Sequence, residues 1–347
     1  MDFDLMFPSQ ELVTSYVKAH AFDKSCFIAP RIGINEDDSS NLNSPAAIMW
    51  DILEPTVGMT KATALDASPP VVKTRVRKTI THRPLYFREA VVLGEKELLN
   101  TRGFGTSIKR AGDELLYNAI DSCNERIDCL LESTSLEMLT GHLSIEGIER
   151  VDYGFTPEQT PDVRDNYGSQ YWDNVANSTP ISDIRRASEV LRYKGARGIT
   201  LVMDIATMSL LSQSTEDLFK QSTLAIDLGP ERLKEVLPGL IGCGINRILV
   251  GNQGYIDESG QTRPFIPEKY CFLVGQLPNN EAIGAWRSVP NLYNGIGENA
   301  QAGRFVIIDN AFTRTNGTVP QITITSGIYG LPVLYRPDLV VAMKVLA

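Results

Sequence analysis

The side chains in this chain that could do chemistry are few, and their spacing keeps them apart. Its three histidines, His20, His82 and His142, fall in three separate segments, and none has a second His or Cys three or four residues on. Each reads as an ordinary polar surface residue. Cys123 and Cys129 lie six apart in one helical stretch, on different faces, so they read as packing positions rather than as a chelating pair. Gly239, Gly242 and Gly244 (GLIGCG) superficially look like a phosphate-binding fingerprint. That motif needs strand, glycines, then helix, and here the strand-like INRILVG follows the glycines, so a plain loop is expected. Walker A, GxSxG and HExxH sequences are absent. The acidic pair Asp37 and Asp38 sits in a polar stretch and reads as solvated. No catalytic, cofactor-binding or metal-binding set emerges, and the expectation is a protein that is not an enzyme.

What does stand out is charge. Residues 59–88 hold Lys61, Lys73, Arg75, Arg77, Lys78, Arg83 and Arg88 against one acid, Asp66, in a chain whose net charge is −9. The rest of the chain therefore carries a large acidic excess. From Val71 to Arg83 the residues alternate as on a strand, with period 2. Lys73, Arg75, Arg77, Thr79, Thr81 and Arg83 share one face. Val72, Thr74, Val76, Ile80 and His82 share the other, with Lys78 among them. So basic a strand cannot sit in its own core without partners for its charges. One reading is a solvated edge strand that Lys and Arg protect from aggregation. The other is an arm that meets acidic surface on a second copy of the chain.

The flanking elements decide how such a strand would be presented. Residues 1–46 read as an arm, with Ser9 capping a short helix to about His20 and an irregular polar stretch over 35–45. Residues 46–59 look like a strand, 60–70 have turn composition, and 71–92 resume strand. Together they make a long two-stranded excursion, marginal alone in water and expected to gain its order on a neighbour. From Thr106 to about Leu139, Ile108, Ala111, Leu115, Ala119, Cys123, Ile127, Leu130 and Leu131 recur at helical spacing. Such a helix would be roughly 50 Å long, closed by Gly141, with a bent or broken last turn at Ser133–Ser135 because small polar residues are weak helix formers. Residues 143–178 are β-leaning and loop-like. Then Thr179-Pro180 opens a helix closing at Gly195, and 199–204, 247–251 and 270–275 read as short buried strands within an α/β unit. After Pro290 the chain turns to strand again up to Ala347.

Size and composition fit this layout. At 43% hydrophobic and 22% charged residues the 347-residue chain is that of a folded protein, not a disordered one. No run approaches the ~20 apolar residues that cross a bilayer, and the start, MDFDLMFPSQ, is no secretory signal. Five scattered cysteines (Cys26, Cys123, Cys129, Cys243, Cys271) point to reduced thiols made in a cytoplasm. The acidic balance argues against a general grip on nucleic acid, yet allows lining a space that holds DNA.

The order of segments (charged excursion, long helix, β layer, inserted α/β unit, return to strand) resembles the major capsid proteins of tailed bacteriophages, and more narrowly the lambda-like major capsid family with its Hong Kong 97-type fold. The run ITITSGIYGLPVLYRPDLVVAMKVLA (322–347) is similar to that family's ending. VGNQGYIDESGQTRPFIPEKYCFLVG (250–275) resembles its strand, turn, basic linker, Phe-x-Pro and next strand. The resemblance implies an α+β architecture. Residues 1–46 would be the N-terminal arm, 47–92 the extended β-hairpin loop, and 93–178 the peripheral domain with a spine helix at 106–139. Residues 179–299 would be the inserted α/β axial domain, and 300–347 the C-terminal return to the peripheral domain.

The function so implied is an icosahedral shell around a phage double-stranded DNA genome, with an encapsulin-like compartment shell as the alternative. The partners implied are further copies in hexamers and pentamers, a portal, a decoration protein and packaged DNA contacted non-specifically, with no cofactor and no membrane. The arm begins at Met1, too short for an attached scaffolding segment, so a separately encoded scaffold is expected. Assembly would take place in the host bacterial cytoplasm and the product would be the virion capsid. The basic residues of the excursion would make the intersubunit contact, with Lys61 or Lys73 as a conjectural cross-link donor.

Overall fold

The computed structural model describes residues 27–37, 46–53, 77–94, 108–144, 151–213, 238–239, 242, 244–257, 259–276, 282–291, 302–311 and 321–347. In chain order the first strands are β1 (Ile34–Asp37), β2 (Ile48–Leu53), β3 (Arg77–His82) and β4 (Leu85–Gly94). The long helix α1 (Ile108–Met138) follows, then the short strands β5 (His142–Leu143) and β6 (Val151–Asp152) and the helices α2 (Val163–Tyr167) and α3 (Pro180–Tyr193). Next come β7 (Gly198–Asp204), α4 (Ile205–Ser212), β8 (Ile245–Gly251), β9 (Gly254–Ile256), β10 (Thr262–Pro264) and β11 (Tyr270–Gln276). The chain closes with β12 (Gly284–Ser288), β13 (Phe305–Ala311), β14 (Gln321–Leu334) and β15 (Val340–Lys344).

Two sheets carry the core. In the first, β14 is the axis. Residues 321–330 pair with β4, residues 321–327 with β13 and residues 330–334 with β12, and β1 runs parallel to β12. The helix α1 lies along β14 because both have about the same reach, ~46 Å at 1.5 Å per helical and 3.3 Å per strand residue. Its apolar side chains cluster with those of β14 in sequence order. Leu116 and Ile120 group with Ile322 and Ile324, Ile127 and Leu131 with Ile328, and Leu136 and Met138 with Leu331 and Val333. Gly141 ends the helix for two reasons. Its φ of +89° is left-handed, and a Cβ there would lie 2.8 Å from the Phe155 ring.

The expected break at Ser133–Ser135 is absent, since α1 continues as α-helix through these residues. Thr134 turns its hydroxyl onto the Leu130 carbonyl at 2.7 Å, and Thr134 and Ser135 are buried, so tertiary packing overrides weak propensity. Residues 35–37, expected to be irregular, belong to β1, and Asp37 lies 3.6 Å from the Arg287 guanidinium instead of standing free in solvent.

The second sheet has the order β15-β11-β7-β8, with β7 and β8 parallel and the other pairs antiparallel. β7, β11 and β15 are largely apolar because both of their faces are covered, whereas β8 at the sheet edge carries exposed Asn246 and Arg247. Leu201, Met203, Leu273, Val341 and Met343 face α3 through Ile181, Ile184, Ala187 and Leu191. Val202, Phe272, Val274, Val340 and Ala342 face the other way, into a core shared with Ile283, Ala285, Val333 and Leu334 of the first sheet. One interior therefore joins both sheets. The last strand, β15, pairs with β11 in this sheet, while β13 and β14 lie in the first. The crossover from β14 to β15 is a single 3-10 turn at Pro337–Leu339, held by a two-point ion pair between buried Arg336 and Asp338 at 2.8 and 2.9 Å.

Residues 71–92, expected as one strand, divide. β3 pairs with β2, β4 pairs with β14, and Arg83-Pro84 separates them. Proline has no N–H to continue a ladder, so it marks the change of sheet.

Candidate assembly interface

The β2–β3 hairpin presents the basic segment. Its register pairs Ile48 with His82, Trp50 with Ile80 and Leu53 with Arg77. Period 2 then sorts the side chains. Ile48, Trp50 and Ile52 are buried, and Ile80 and His82 flank them, with Trp50 6.4 Å from both the His82 and Tyr153 rings. Met49, Thr79 and Thr81 face outward and are exposed, and Thr79 donates to Asp51 at 2.7 Å. The alternation read from the sequence is therefore seen over 79–82. The faces of Val71–Val76, with Lys73 and Arg75, and the positions of Lys61 and His20 lie outside the described residues.

The stem of the hairpin is not marginal. Burying the three apolar side chains of β2 contributes roughly 5 kcal/mol. Arg287 on β12 donates to the Met49 carbonyl at 2.9 Å while its Nε donates to Tyr335 Oη at 3.0 Å. Tyr153, under Trp50, donates to the Pro332 carbonyl at 2.7 Å. Order in the stem thus comes from the chain's own core rather than from a neighbour, as had been expected for the whole excursion.

Of the predicted contact residues, Lys78, Arg83 and Arg88 are exposed. Arg88 projects from β4, on the sheet face turned away from α1, between exposed Tyr86 and exposed Ala90 and Val92. It is therefore separate from the hairpin face, and the seven basic residues do not form one uniform stripe. His142 lies 3.7 Å from Asp152 in the β5–β6 pair. Cys123 is buried in α1, and burial pushes its thiol above the usual range. Gly242 and Gly244 adopt positive φ just before β8, as a loop requires. Among the described residues no three His, Cys, Asp or Glu side chains gather so as to hold a metal ion, and no helix is long and apolar enough to cross a membrane.

Sequence reasoning missed the polar groups that hold the frame behind the hairpin. Arg304 bridges Glu36 on β1, at 2.9 and 3.1 Å, and Asp128 on α1. Burial alone would depress the guanidinium's pKa, but these two carboxylates raise it further above its usual range. Glu132 on α1 accepts the backbone N–H groups of Ile28 and Ala29, fixing residues 27–34 against the helix. The partners are more than a hundred positions apart, so no local spacing announces them.

The fold is that of capsid proteins. A prophage capsid protein from E. coli CFT073 matches with a TM-score of 0.58 at 15% identity, over 98% of this chain and 99% of that one. A phage-related protein from Bordetella bronchiseptica RB50 gives 0.55 at 10% identity over 96% of each chain. The capsid of cyanophage P-SCSP1u gives 0.51 at 8% identity, over 94% and 89%. A search of curated proteins finds no match. The family model described as phage major capsid protein E matches residues 43–345, and the chain belongs to that family. It is thus a shell-forming subunit of a tailed-phage capsid, with a mixed α/β fold of the Hong Kong 97 type.

Proposed function

We propose that this chain tiles into a closed icosahedral shell around a phage double-stranded DNA genome, and that the β2–β3 hairpin is the arm by which each copy clasps the next. The observation that carries this reading is a basic hairpin rooted in the core of an acidic protein. A rigid stem fixes where the basic segment emerges, and charge complementarity steers encounter and register. Weak contacts of this kind, multiplied over a shell, become strong together while single errors still dissociate. Membership in a phage capsid family weighs for a genome-enclosing shell over an encapsulin-like compartment.

In this reading residues 1–46 are the N-terminal arm, the segment from 47 to Arg83-Pro84 is the extended loop, and α1 is the spine of a peripheral domain with the β4-β14-β13 sheet. The unit from Thr179 through β11, completed by β15, is the axial domain gathered around five- and six-fold axes. Pentamers and hexamers form in the host cytoplasm with a scaffolding protein, then take a portal, a decoration protein and DNA held without sequence preference. The chain acts without catalysis. Negative-stain electron microscopy of the purified full-length chain tests the reading. Shells or capsomer rings are expected; monomers alone in every buffer would sink it.

A further inference from the structure

The stem of the hairpin is attached to the rest of the chain in two ways. The first is apolar, through buried Ile48, Trp50 and Ile52. Apolar burial is non-directional, so it fixes the depth of the stem more firmly than its direction. The second is polar and centres on Arg287 of β12. Among the described strands β2 pairs with β3 alone, so no ladder ties it to either large sheet. The Arg287 guanidinium donates to the Met49 carbonyl at 2.9 Å and so joins the β2 backbone to the first sheet.

Arg287 is itself held in place. Its Nε donates to Tyr335 Oη at 3.0 Å, and its guanidinium lies over the Tyr335 ring, 5.3 Å from the centroid. Asp37, its register partner on β1, lies 3.6 Å from the same Nε. Tyr335 in turn donates its N–H to the Ile283 carbonyl at 2.9 Å, just before β12. Only 17% of the Arg287 side chain is exposed. A planar guanidinium has fixed donor directions, and one enclosed like this presents them in a single orientation. Asp37 and Met49 also lie on either side of the link from β1 to β2, so one side chain touches the chain where it leaves β1 and where it enters the hairpin.

What this contact aims is long. Residues 54–76 separate β2 from β3. Run as extended strands, as the sequence reading expects, they give about 11 residues a side and a reach of roughly 36 Å. A tilt of about 10° at the root would then move the tip by about 6 Å, close to two residues of strand register. A slip of one residue already exchanges the faces of a strand, so the angle at the root decides which side chains the arm presents.

We propose that Arg287 is a positioning residue for assembly: oriented by Tyr335 and Asp37, it holds the Met49 carbonyl and sets the direction in which the hairpin leaves the core. The proposal rests on the hairpin being the assembly arm and adds what aims it.

The test uses the full-length chain, with folding read by circular dichroism and thermal midpoint, and particle yield and diameter read by electron microscopy. Arg287→Met is expected to keep the wild-type spectrum and to lower the yield of closed, uniform particles by about tenfold, with open or irregular assemblies in their place. Tyr335→Phe, which keeps the ring and loses the acceptor for Nε, is expected to broaden the spread of diameters. Ile120→Val, in the remote packing of α1 on β14, controls for lost stability; it is expected to lower the midpoint and leave the particles uniform. Uniform particles at wild-type yield from Arg287→Met would overturn the proposal. So would the same assembly defect in Ile120→Val, which would assign the effect to stability instead of aim. Should Arg287→Met fail to fold, Tyr335→Phe decides, and a wild-type diameter spread from it would overturn the proposal. A wild-type chain that never assembles would overturn the shell reading itself.

Discussion

The Glu132 carboxylate accepts the Ile28 N–H at 2.6 Å, joining two residues 104 positions apart in the middle of the molecule. Its other oxygen accepts from Ala29 at 3.1 Å. Burial drives the carboxyl pKa up, to about 7, against the pull of these backbone donors and of Arg31. The carboxyl is therefore protonated more readily in the folded chain than in the unfolded one. For a group raised in this way the contribution to stability is complete below its ordinary value and is lost as pH rises through the folded value. The window runs from pH about 4.5 to about 7, and the slope there reaches at most about 1.4 kcal/mol per pH unit. Wild type should lose stability from pH 5 to pH 8 more steeply than Glu132→Gln, whose amide does not titrate. Urea unfolding of both chains at the two pH values measures the difference. Equal slopes would show that Glu132 does not titrate in this range.

Arg304 sits between two carboxylates from different elements, Glu36 of β1 and Asp128 of α1, with only 13% of its side chain exposed. Removing one member of such a buried set leaves charge in a site that solvates it poorly, at a cost of about 3 kcal/mol or more. Arg304→Met should therefore lower the unfolding free energy by that order. Asp128→Asn in the Arg304→Met background should cost less than in wild type, since the charge it would remove has already lost its partner. A double-mutant cycle by chemical denaturation checks this, and additive effects would mean that the pair is not coupled.

Gly141 must be left-handed at φ +89° and must also make room for the Phe155 ring. Left-handed backbone costs a residue with a Cβ about 1–2 kcal/mol, and the 2.8 Å approach adds repacking to that. Gly141→Ala should destabilise the chain by about 2 kcal/mol or more. Differential scanning calorimetry would show it as a lower midpoint. An unchanged midpoint would mean that the turn can relax without cost.

Much of this fold is legible in the chain. The spacing from Leu115 through Leu131 reads as one helix, Gly141 as its stop, and ITLVMD, RILVG and YCFLVG as strands covered on both faces. What failed to read was partnership. Val340–Met343 is apolar on both sides, so its pattern says "buried strand" without saying in which sheet. Pro84 was the available signal that β3 and β4 part company, because it cannot donate to a ladder. Thr134 shows the limit of propensity, since its hydroxyl finds a carbonyl inside the helix that its residue type disfavours. The bonds made by Glu132 and Arg304 exist only once the chain has folded.

The hairpin itself gives the sharpest prediction about assembly. The buried face of its stem is Ile48, Trp50 and Ile52, and Met49, Thr79 and Thr81 stand exposed on the opposite face. In the sequence, Lys73, Arg75 and Arg77 fall at alternate positions in step with Thr79 and Thr81. Reversing these three charges as Lys73→Glu, Arg75→Glu and Arg77→Glu should leave the core and the thermal midpoint unchanged, because exposed charges contribute little to stability. It should abolish shells, because the arm would meet an acidic neighbour with the wrong sign, and like charges held together cost several kcal/mol. The same argument predicts that high salt weakens early association of wild type, since the Debye length shrinks to about 3 Å at 1 M. Sedimentation and micrographs of the triple variant, alongside a salt series on wild type, decide the matter. Normal particles from the triple variant would remove this arm from the assembly contact and leave the hairpin as a structural edge.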